Sequence, residues 1–182
     1  MDHGQEPVEN SIDLFKHLRN IGIPQEEYLF MIEVPQARFW FNTDRARKAI
    51  LEMLDSLTHV RVRSFRDLNI YGIRFDDSNF GEIYAFTDPG YIFFPHDFYH
   101  PLANLYLALR YKEHRPRLIN PRHRGCHGHL PDNPADEGYM ILTDQRFVPK
   151  VEFMDLIDFA PSVLALVGHL APSHMKGGIV FE

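Results

Sequence analysis

The stretch that decides the fold is residues 28–41, YLFMIEVPQARFWF, in which two apolar and aromatic runs flank a proline. Such runs are typical of strands, whereas proline lacks the N–H that a central sheet position requires. The sequence therefore predicts strands over residues 28–34 and 37–41, joined at Pro35 by a bend or hairpin.

The residues on either side extend this pair into a larger module. After it, Asn42 or Thr43 caps a predicted helix whose buried face carries Ala46, Ile50, Leu54 and Leu57. Ser64 and Asp67 suggest a capping box for a short helix that ends at Gly72, and Asp88-Pro89-Gly90 predicts a turn. Further strands are predicted over residues 59–63, 82–86 and 91–94. The whole span is typical of a compact α+β module.

Outside this module the predicted elements are fewer. Residues 7–20 have the apolar spacing of an amphipathic helix, and residues 102–111 predict a short helix or strand. The run 138–143 predicts a buried strand. Residues 158–167 predict a helix with Pro161 in its first turn and Gly168 as its terminator. Its predicted inner face consists of Val163, Leu164 and Val167.

Composition restricts the class of protein. The chain has 182 residues, a net charge of −6 and one cysteine, Cys126. An acidic balance argues against a nucleic-acid partner, and a lone cysteine excludes an intrachain disulfide. We find no apolar run of roughly 18–20 residues and no signal peptide in this chain, so we expect no membrane partner and a cytoplasmic location.

Two histidine motifs carry the candidate chemistry. Asp2-His3-Gly4 opens the sequence, and Gly125-Cys126-His127-Gly128-His129 lies in a loop-rich region. Carboxylate and imidazole groups are common ligands of zinc and manganese, and neighbouring glycines allow close backbone approach. Taken singly, each motif is also compatible with a solvated terminus or loop.

The motifs, taken in order, resemble the type I phosphodiesterase/nucleotide pyrophosphatase branch of the alkaline phosphatase superfamily. Its Asp-His-Gly motif is matched at residues 2–4, and its Gly-x-His-Gly motif at residues 125–128. An Asp-φ-Ala-Pro-(Ser/Thr) helix start is matched at residues 158–162, and a closing Met-x-Gly at residues 175–177.

This resemblance implies an α/β fold in which an α+β cap module accompanies part of an alkaline-phosphatase-like sheet domain. Residues 1–24 would begin the main domain, residues 25–115 would form the cap, and residues 116–182 would return to the main domain. The return segment would carry a metal-ligand loop and the C-terminal helix.

The resemblance also implies a chemistry. In that family two divalent ions, commonly zinc and alternatively manganese, act on a phosphoester or nucleotide substrate. By position, Asp2 and His3 would bind one ion and His127 the other. The family's nucleophile and remaining ligands precede Asp-His-Gly, so we expect a C-terminal portion of a hydrolase that is catalytically incomplete by itself. The alternative is a non-catalytic binding or assembly module, as a homodimer or with an N-terminal-half partner.

Three other features admit a functional interpretation. Cys126 beside His127 suggests thiol catalysis, but no third group stands at a recognisable spacing to orient it. The arginines near residues 115–124 would suit substrate phosphate as well as they suit a solvated loop. The aromatic run from Tyr91 to Tyr99 would stack a nucleobase or pack in the core.

Overall fold

A computed structural model of the chain describes residues 3–94, 101–112, 124–144 and 146–182. The chain divides into two compact units, Met1–Tyr139 and Met140–Glu182. The division into main-domain and cap segments implied by the resemblance, with boundaries after residues 24 and 115, stays a prediction.

Strands and helices alternate along the first unit. In chain order they are β1 (Glu6–Pro7), β2 (Asn10–Asp13), α1 (Leu14–Asn20), β3 (Tyr28–Ile32), β4 (Gln36–Phe41), α2 (Asp44–Asp55), β5 (Val60–Ser64), β6 (Ile83–Thr87), β7 (Tyr91–Phe94), α3 (Pro101–Arg110) and β8 (Gly125–Cys126). In the second unit the structure describes one α-helix, α4 (Leu156–Leu166). The predicted α/β class is confirmed, as is the helical alternative for residues 102–111.

Strands β3, β4, β6 and β5 form a four-stranded antiparallel sheet in that order. The predicted hairpin of β3 and β4 is confirmed, because Glu33 and Gln36 exchange backbone hydrogen bonds of 2.7 and 3.2 Å. Val34 and Pro35 occupy the tip of this hairpin, where the missing N–H of proline costs no ladder bond. Strand β3 is an edge of the sheet.

Helix α2 packs on one face of this sheet and completes the larger core. The Thr43 side chain caps the helix by accepting the Ala46 N–H at 3.1 Å. The predicted buried face is confirmed for Ala46, Ile50 and Leu54, which are fully buried. Phe39 of the sheet is fully buried in the same cluster. Burial of this apolar stripe, rather than helix propensity, stabilises α2.

The opposite face of the sheet anchors the loop that carries the second histidine motif. Leu130, directly after that motif, is fully buried against Tyr84 and Phe86 of β6. Asp132 accepts a hydrogen bond from Arg61 at 3.0 Å. An apolar contact and an ion pair thus hold the motif against a rigid element.

Two predicted local features are confirmed nearby. Ser64 and Asp67 exchange backbone-to-side-chain bonds of 2.8 and 3.3 Å, as a capping box requires, and begin the 3-10 helix Asp67–Tyr71. Gly72 ends that helix in the left-handed region. The Asp88-Pro89-Gly90 turn is closed by a 3.1 Å bond from the Tyr91 N–H to the Asp88 carbonyl.

The predicted helix over residues 7–20 is wrong in its first half. Residues 10–13 form β2, which pairs in parallel with β7, and α1 begins only at Leu14. Asp13 caps α1 by accepting the Lys16 N–H at 2.9 Å. Strand pairing supplies backbone hydrogen bonds that outweigh the helical spacing of the apolar residues, although Ile12 still packs against the core.

In the second unit, α4 confirms the predicted helix and its Gly168 terminator, which has a φ of +77°. The predicted inner face is wrong for Val163 and Val167, which are exposed, whereas Leu164 is half-buried. The buried residues of α4 are Pro161 and Ser162. The reason is that the C-terminal segment packs on the Ser162 side, where the Val180 N–H donates to Ser162 Oγ at 3.2 Å.

The predicted buried strand over residues 138–143 is also wrong. Ile141 is 74% exposed, and within the described ranges no strand pairs with this run. An apolar run becomes a strand only where a neighbouring strand accepts its backbone groups. No helix in the described part of the chain is long and apolar enough to cross a membrane.

Replacing Leu54 by alanine tests the α2 core. Leu54 is fully buried, so the substitution should lower the free energy of unfolding of the first unit by about 2–5 kcal/mol. Leu29→Ala is the control, because Leu29 is 62% exposed; it should change that free energy by less than about 0.5 kcal/mol. Denaturant unfolding followed by the fluorescence of Trp40, the single tryptophan, measures both. Equal effects of the two variants would contradict this assignment of the core.

Candidate functional site

A short strand pair brings the two histidine motifs together. Strand β1 runs antiparallel to β8, with Glu6 opposite Cys126 and Pro7 opposite Gly125. The Val8 N–H extends the ladder by donating to the Arg124 carbonyl at 3.0 Å. Antiparallel pairing sends the segment before β1 alongside the segment after β8, so His3 and His127 lie at the same end of the pair.

The rings of His3 and His127 stack. Their centroids lie 3.6 Å apart and their planes differ by 15°. Nδ1 of His3 lies 2.8 Å from the carbonyl oxygen of Gly4. When the proton sits on Nδ1, that nitrogen donates to the carbonyl and the ring lone pair belongs to Nε2. His127 is exposed on the surface of the first unit.

Gly4 is held against the backbone of residues 135–137. Its N–H donates to the Asp136 carbonyl at 3.0 Å. A Cβ at this position would lie 2.0 Å from the carbonyl oxygen of Ala135, a distance that no real side chain adopts. The close approach predicted for a glycine beside His3 is therefore a steric requirement here.

Of the three sequence-predicted ligands, the structure brings two together. His3 and His127 are in contact, whereas Asp2 lies outside the described residues. In the described ranges, no group of three or more histidine, cysteine, aspartate or glutamate side chains is arranged to hold a metal ion. The ligand assignment stays a prediction, and the donors present are two imidazoles.

A row of three polar side chains next to the His127 motif, two of them buried, was not evident from the sequence. Sγ of Cys126 lies 3.7 Å from Nε2 of His129, and Nδ1 of His129 lies 3.3 Å from Oδ2 of Asp136. The His129 ring is fully buried. The i, i+3 spacing of Cys126 and His129 was visible in the sequence, but the approach of Asp136 depends on how the loop folds.

This chain of groups has the order of a thiol catalytic triad but not its electrostatics. Burial, together with the negative charges of Asp136 and Glu6, raises the pKa of the Cys126 thiol to about 11. Thiol nucleophiles need a lowered pKa and access to solvent. Cys126 is only 5% exposed, so it is a protonated packing group at neutral pH, and the thiol-catalysis interpretation is not favoured.

The two C-terminal motifs meet in the second unit and have a structural role there. Asp158 accepts the Gly178 N–H at 2.7 Å through Oδ1 and the Asp155 N–H at 3.2 Å through Oδ2. A Cβ on Gly177 would lie 2.1 Å from the carbonyl oxygen of Ile157. The Asp-φ-Ala-Pro and Met-x-Gly motifs thus hold the chain's last segment against the start of α4.

The remaining sequence candidates contribute little. Most of the basic loop lies outside the described residues, and Arg124 is exposed. In the aromatic run, Phe98 and Tyr99 lie outside the described residues. Phe93 is fully buried in the larger core, so it has a packing role.

Comparison with known proteins adds a distant structural likeness. No protein-family model and no curated protein sequence matches the chain. Among solved structures, the chain is similar to murine ectonucleotide pyrophosphatase/phosphodiesterase 5, with a TM-score of 0.42 and 14% sequence identity. The match covers 53% of this chain and 25% of that chain. A likeness of this size carries no functional argument. The argument for a function therefore depends on the residues of the site.

Gly4→Ala should separate the two histidine rings. The added methyl group has no space beside the Ala135 carbonyl, so the first residues must move away from residues 135–137. Stacked rings shield each other's protons, and we expect the histidine ring ¹H shifts that respond to His3→Ala to respond in the same way to Gly4→Ala. Gly125→Ala is the control, because the tightest contact of its Cβ would be the flexible end of Gln5, at 3.1 Å, and the Glu6 carbonyl oxygen would lie at an ordinary 3.6 Å. Unchanged ring shifts in Gly4→Ala would contradict the placement of His3.

The raised pKa of Cys126 predicts an unreactive thiol. A shift of the pKa from 9.0 to about 11 lowers the thiolate fraction at pH 7 by about 100-fold, because each pKa unit is tenfold. Reaction with dithionitrobenzoate should therefore be slow at pH 7 in the native chain and should accelerate as the pH rises toward 11. The chain unfolded in guanidinium is the control and should react at the rate of a free cysteine. A native rate at pH 7 equal to that control would overturn the buried, protonated state.

Proposed function

We propose that this chain is part of a metal-dependent phosphodiesterase or nucleotide-pyrophosphatase-like hydrolase. In this proposal His3 and His127 each bind one of two adjacent divalent ions, zinc or manganese, and Asp2 shares the ion of His3. The single observation that carries the proposal is the stacked ring pair, which joins the two motifs at 3.6 Å. The substrate class is a phosphoester or nucleotide.

The ring geometry favours two ions over one. Imidazole binds a metal through a nitrogen lone pair that lies in the ring plane. Lone pairs that lie in two nearly parallel planes do not meet at one point, so the stacked rings do not converge on a shared ion. Hydrolytic two-metal sites hold their ions roughly 3.5–4 Å apart, a spacing close to that of the ring centroids.

The surroundings of His3 also suit a metal ligand. Histidine ligands usually donate their second ring N–H to a carbonyl or carboxylate, and this orients the ring. Donation from Nδ1 to the Gly4 carbonyl at 2.8 Å would leave Nε2 as the metal-binding nitrogen. His127 is exposed, so a substrate bound at its ion would reach the site from solvent.

The number of donors limits the activity that we propose for these residues alone. Zinc in proteins usually takes four ligands, so Asp2, His3 and His127 supply only part of the coordination of two ions. When bound, such ions polarise the phosphoryl group and stabilise developing negative charge. The chain's own residues bind and separate the ions, and we propose that the remaining ligands and the nucleophile come from groups other than these three.

Zinc titration of the purified chain tests the proposal. The chain should bind two zinc ions weakly, and His3→Ala and His127→Ala should each remove one binding event and leave the other. If both rings shared one ion, either substitution would remove the only event. Isothermal titration calorimetry at fixed pH measures the stoichiometry.

His59→Ala is the matched control, because His59 also stacks on an aromatic ring, that of Tyr91, at 4.1 Å. It should leave both binding events unchanged. The absence of zinc binding in the parent chain would end the proposal. Robust hydrolysis of bis(nitrophenyl) phosphate that is lost in His127→Ala would contradict only the expected catalytic incompleteness.

A further inference from the structure

We propose that Asp136 is the positioning residue of the site, and that it sets the distance between the His3 and His127 rings. The assignment follows from one property of Asp136: it is hydrogen-bonded at the same time to the segment that carries His3 and to the segment that carries His127. Its backbone carbonyl binds the first segment and its side-chain carboxylate binds the second.

The backbone contact holds the His3 segment. The Asp136 carbonyl accepts the Gly4 N–H at 3.0 Å, one residue after His3. Close packing of Gly4 on the Ala135 carbonyl leaves this segment no room to move inward. Asp136 is itself fixed by the short 3-10 helix Pro134–Asp136, in which its N–H donates to the Asn133 carbonyl at 3.2 Å.

The side-chain contacts hold the His127 segment. Oδ2 of Asp136 accepts the N–H of Gly128 at 3.0 Å and the N–H of His129 at 2.6 Å. These are the two peptide groups directly after His127. One carboxylate oxygen therefore determines the direction that the chain takes through His127 after the end of β8. Hydrogen bonds to a charged acceptor are stronger than neutral ones. The Asp136 side chain is only 15% exposed.

The buried His129 ring supports the same arrangement from the other side. It packs between Sγ of Cys126 and Oδ2 of Asp136, at 3.7 and 3.3 Å. The ring therefore spans the His127 turn and keeps the carboxylate in place. Gly128 completes the turn with a φ of +91°, a conformation that residues with a side chain rarely adopt.

The β1–β8 pair is the competing restraint on the two histidines. It comprises two residues in each strand, and a ladder this short frays easily without further contacts. On this comparison the hydrogen bonds of Asp136, rather than the strand pair, decide the ring spacing. The functional meaning of that spacing rests on the proposed metal site, whereas the spacing itself is a property of the metal-free chain.

The test compares Asp136→Ala with Asp136→Asn in the metal-free chain by the ring ¹H shifts of His3 and His127. The asparagine side chain keeps a carbonyl oxygen where Oδ2 lies, so D136N should retain most of the mutual shielding. D136A removes the acceptor and should move the shifts to those of the His3→Ala chain. Glu137→Gln is the control, because Glu137 is the carboxylate next to Asp136 in the sequence and is exposed; its ring shifts should equal those of the parent.

Folding of each variant is checked by unfolding followed through Trp40 fluorescence. If the alanine chain does not fold, Asp136→Leu fills a similar volume without an acceptor and becomes the decisive variant. Retained shielding in a variant without an acceptor would overturn the proposal, and so would equal losses in D136N and D136A. If the parent and all variants failed to bind zinc while the ring shifts behaved as expected, the proposed function would be wrong and the assignment of Asp136 would stand.

Discussion

The contact between residues 3–8 and the loop 124–136 is the constraint on which the candidate site depends. It consists of a two-residue strand pair, a glycine pressed onto a backbone carbonyl, and a carboxylate that accepts two adjacent N–H groups. None of these contacts is strong singly. Together they close a loop that contains nearly the whole first unit, and the entropic cost of closure rises only slowly with loop length. The four-stranded sheet makes closure possible because it anchors Leu130 and Asp132 beside the motif.

The stacked imidazoles are a consequence of that closure, and their geometry limits the chemistry. Face-to-face rings at 3.6 Å do not chelate one ion between them, which is why the proposal above assigns a separate ion to each ring. The adjacent cysteine shows how burial decides between alternatives that spacing leaves open. Cys126, His129 and Asp136 stand in the order of a nucleophilic triad, but burial and two negative charges keep the thiol protonated, so these groups stabilise the loop.

Local sequence signals predicted the local structures that they determine. The hairpin at Pro35, the Thr43 cap and the Ser64–Asp67 capping box each depend on residues within a few positions of one another. The predictions were wrong at residues 10–13, where pairing with β7 replaced a predicted helix, and at residues 138–143, where no strand among the described residues pairs with the apolar run. At residues 10–13 the decisive hydrogen-bond partner is distant in sequence, and at residues 138–143 the described strands supply none. Apolar spacing along the chain reveals neither circumstance.

The candidate site divides in the same way, into features that the local sequence predicts and features that depend on distant contacts. The residue types that suit a metal, His3 and His127 beside glycines, were evident from the sequence alone, because ligand chemistry belongs to the side chain. The contact between their rings and the role of Asp136 were decided only by the tertiary structure. A carboxylate becomes a positioning group when folding brings it within hydrogen-bond distance of two adjacent N–H groups, and that approach is a property of the folded chain.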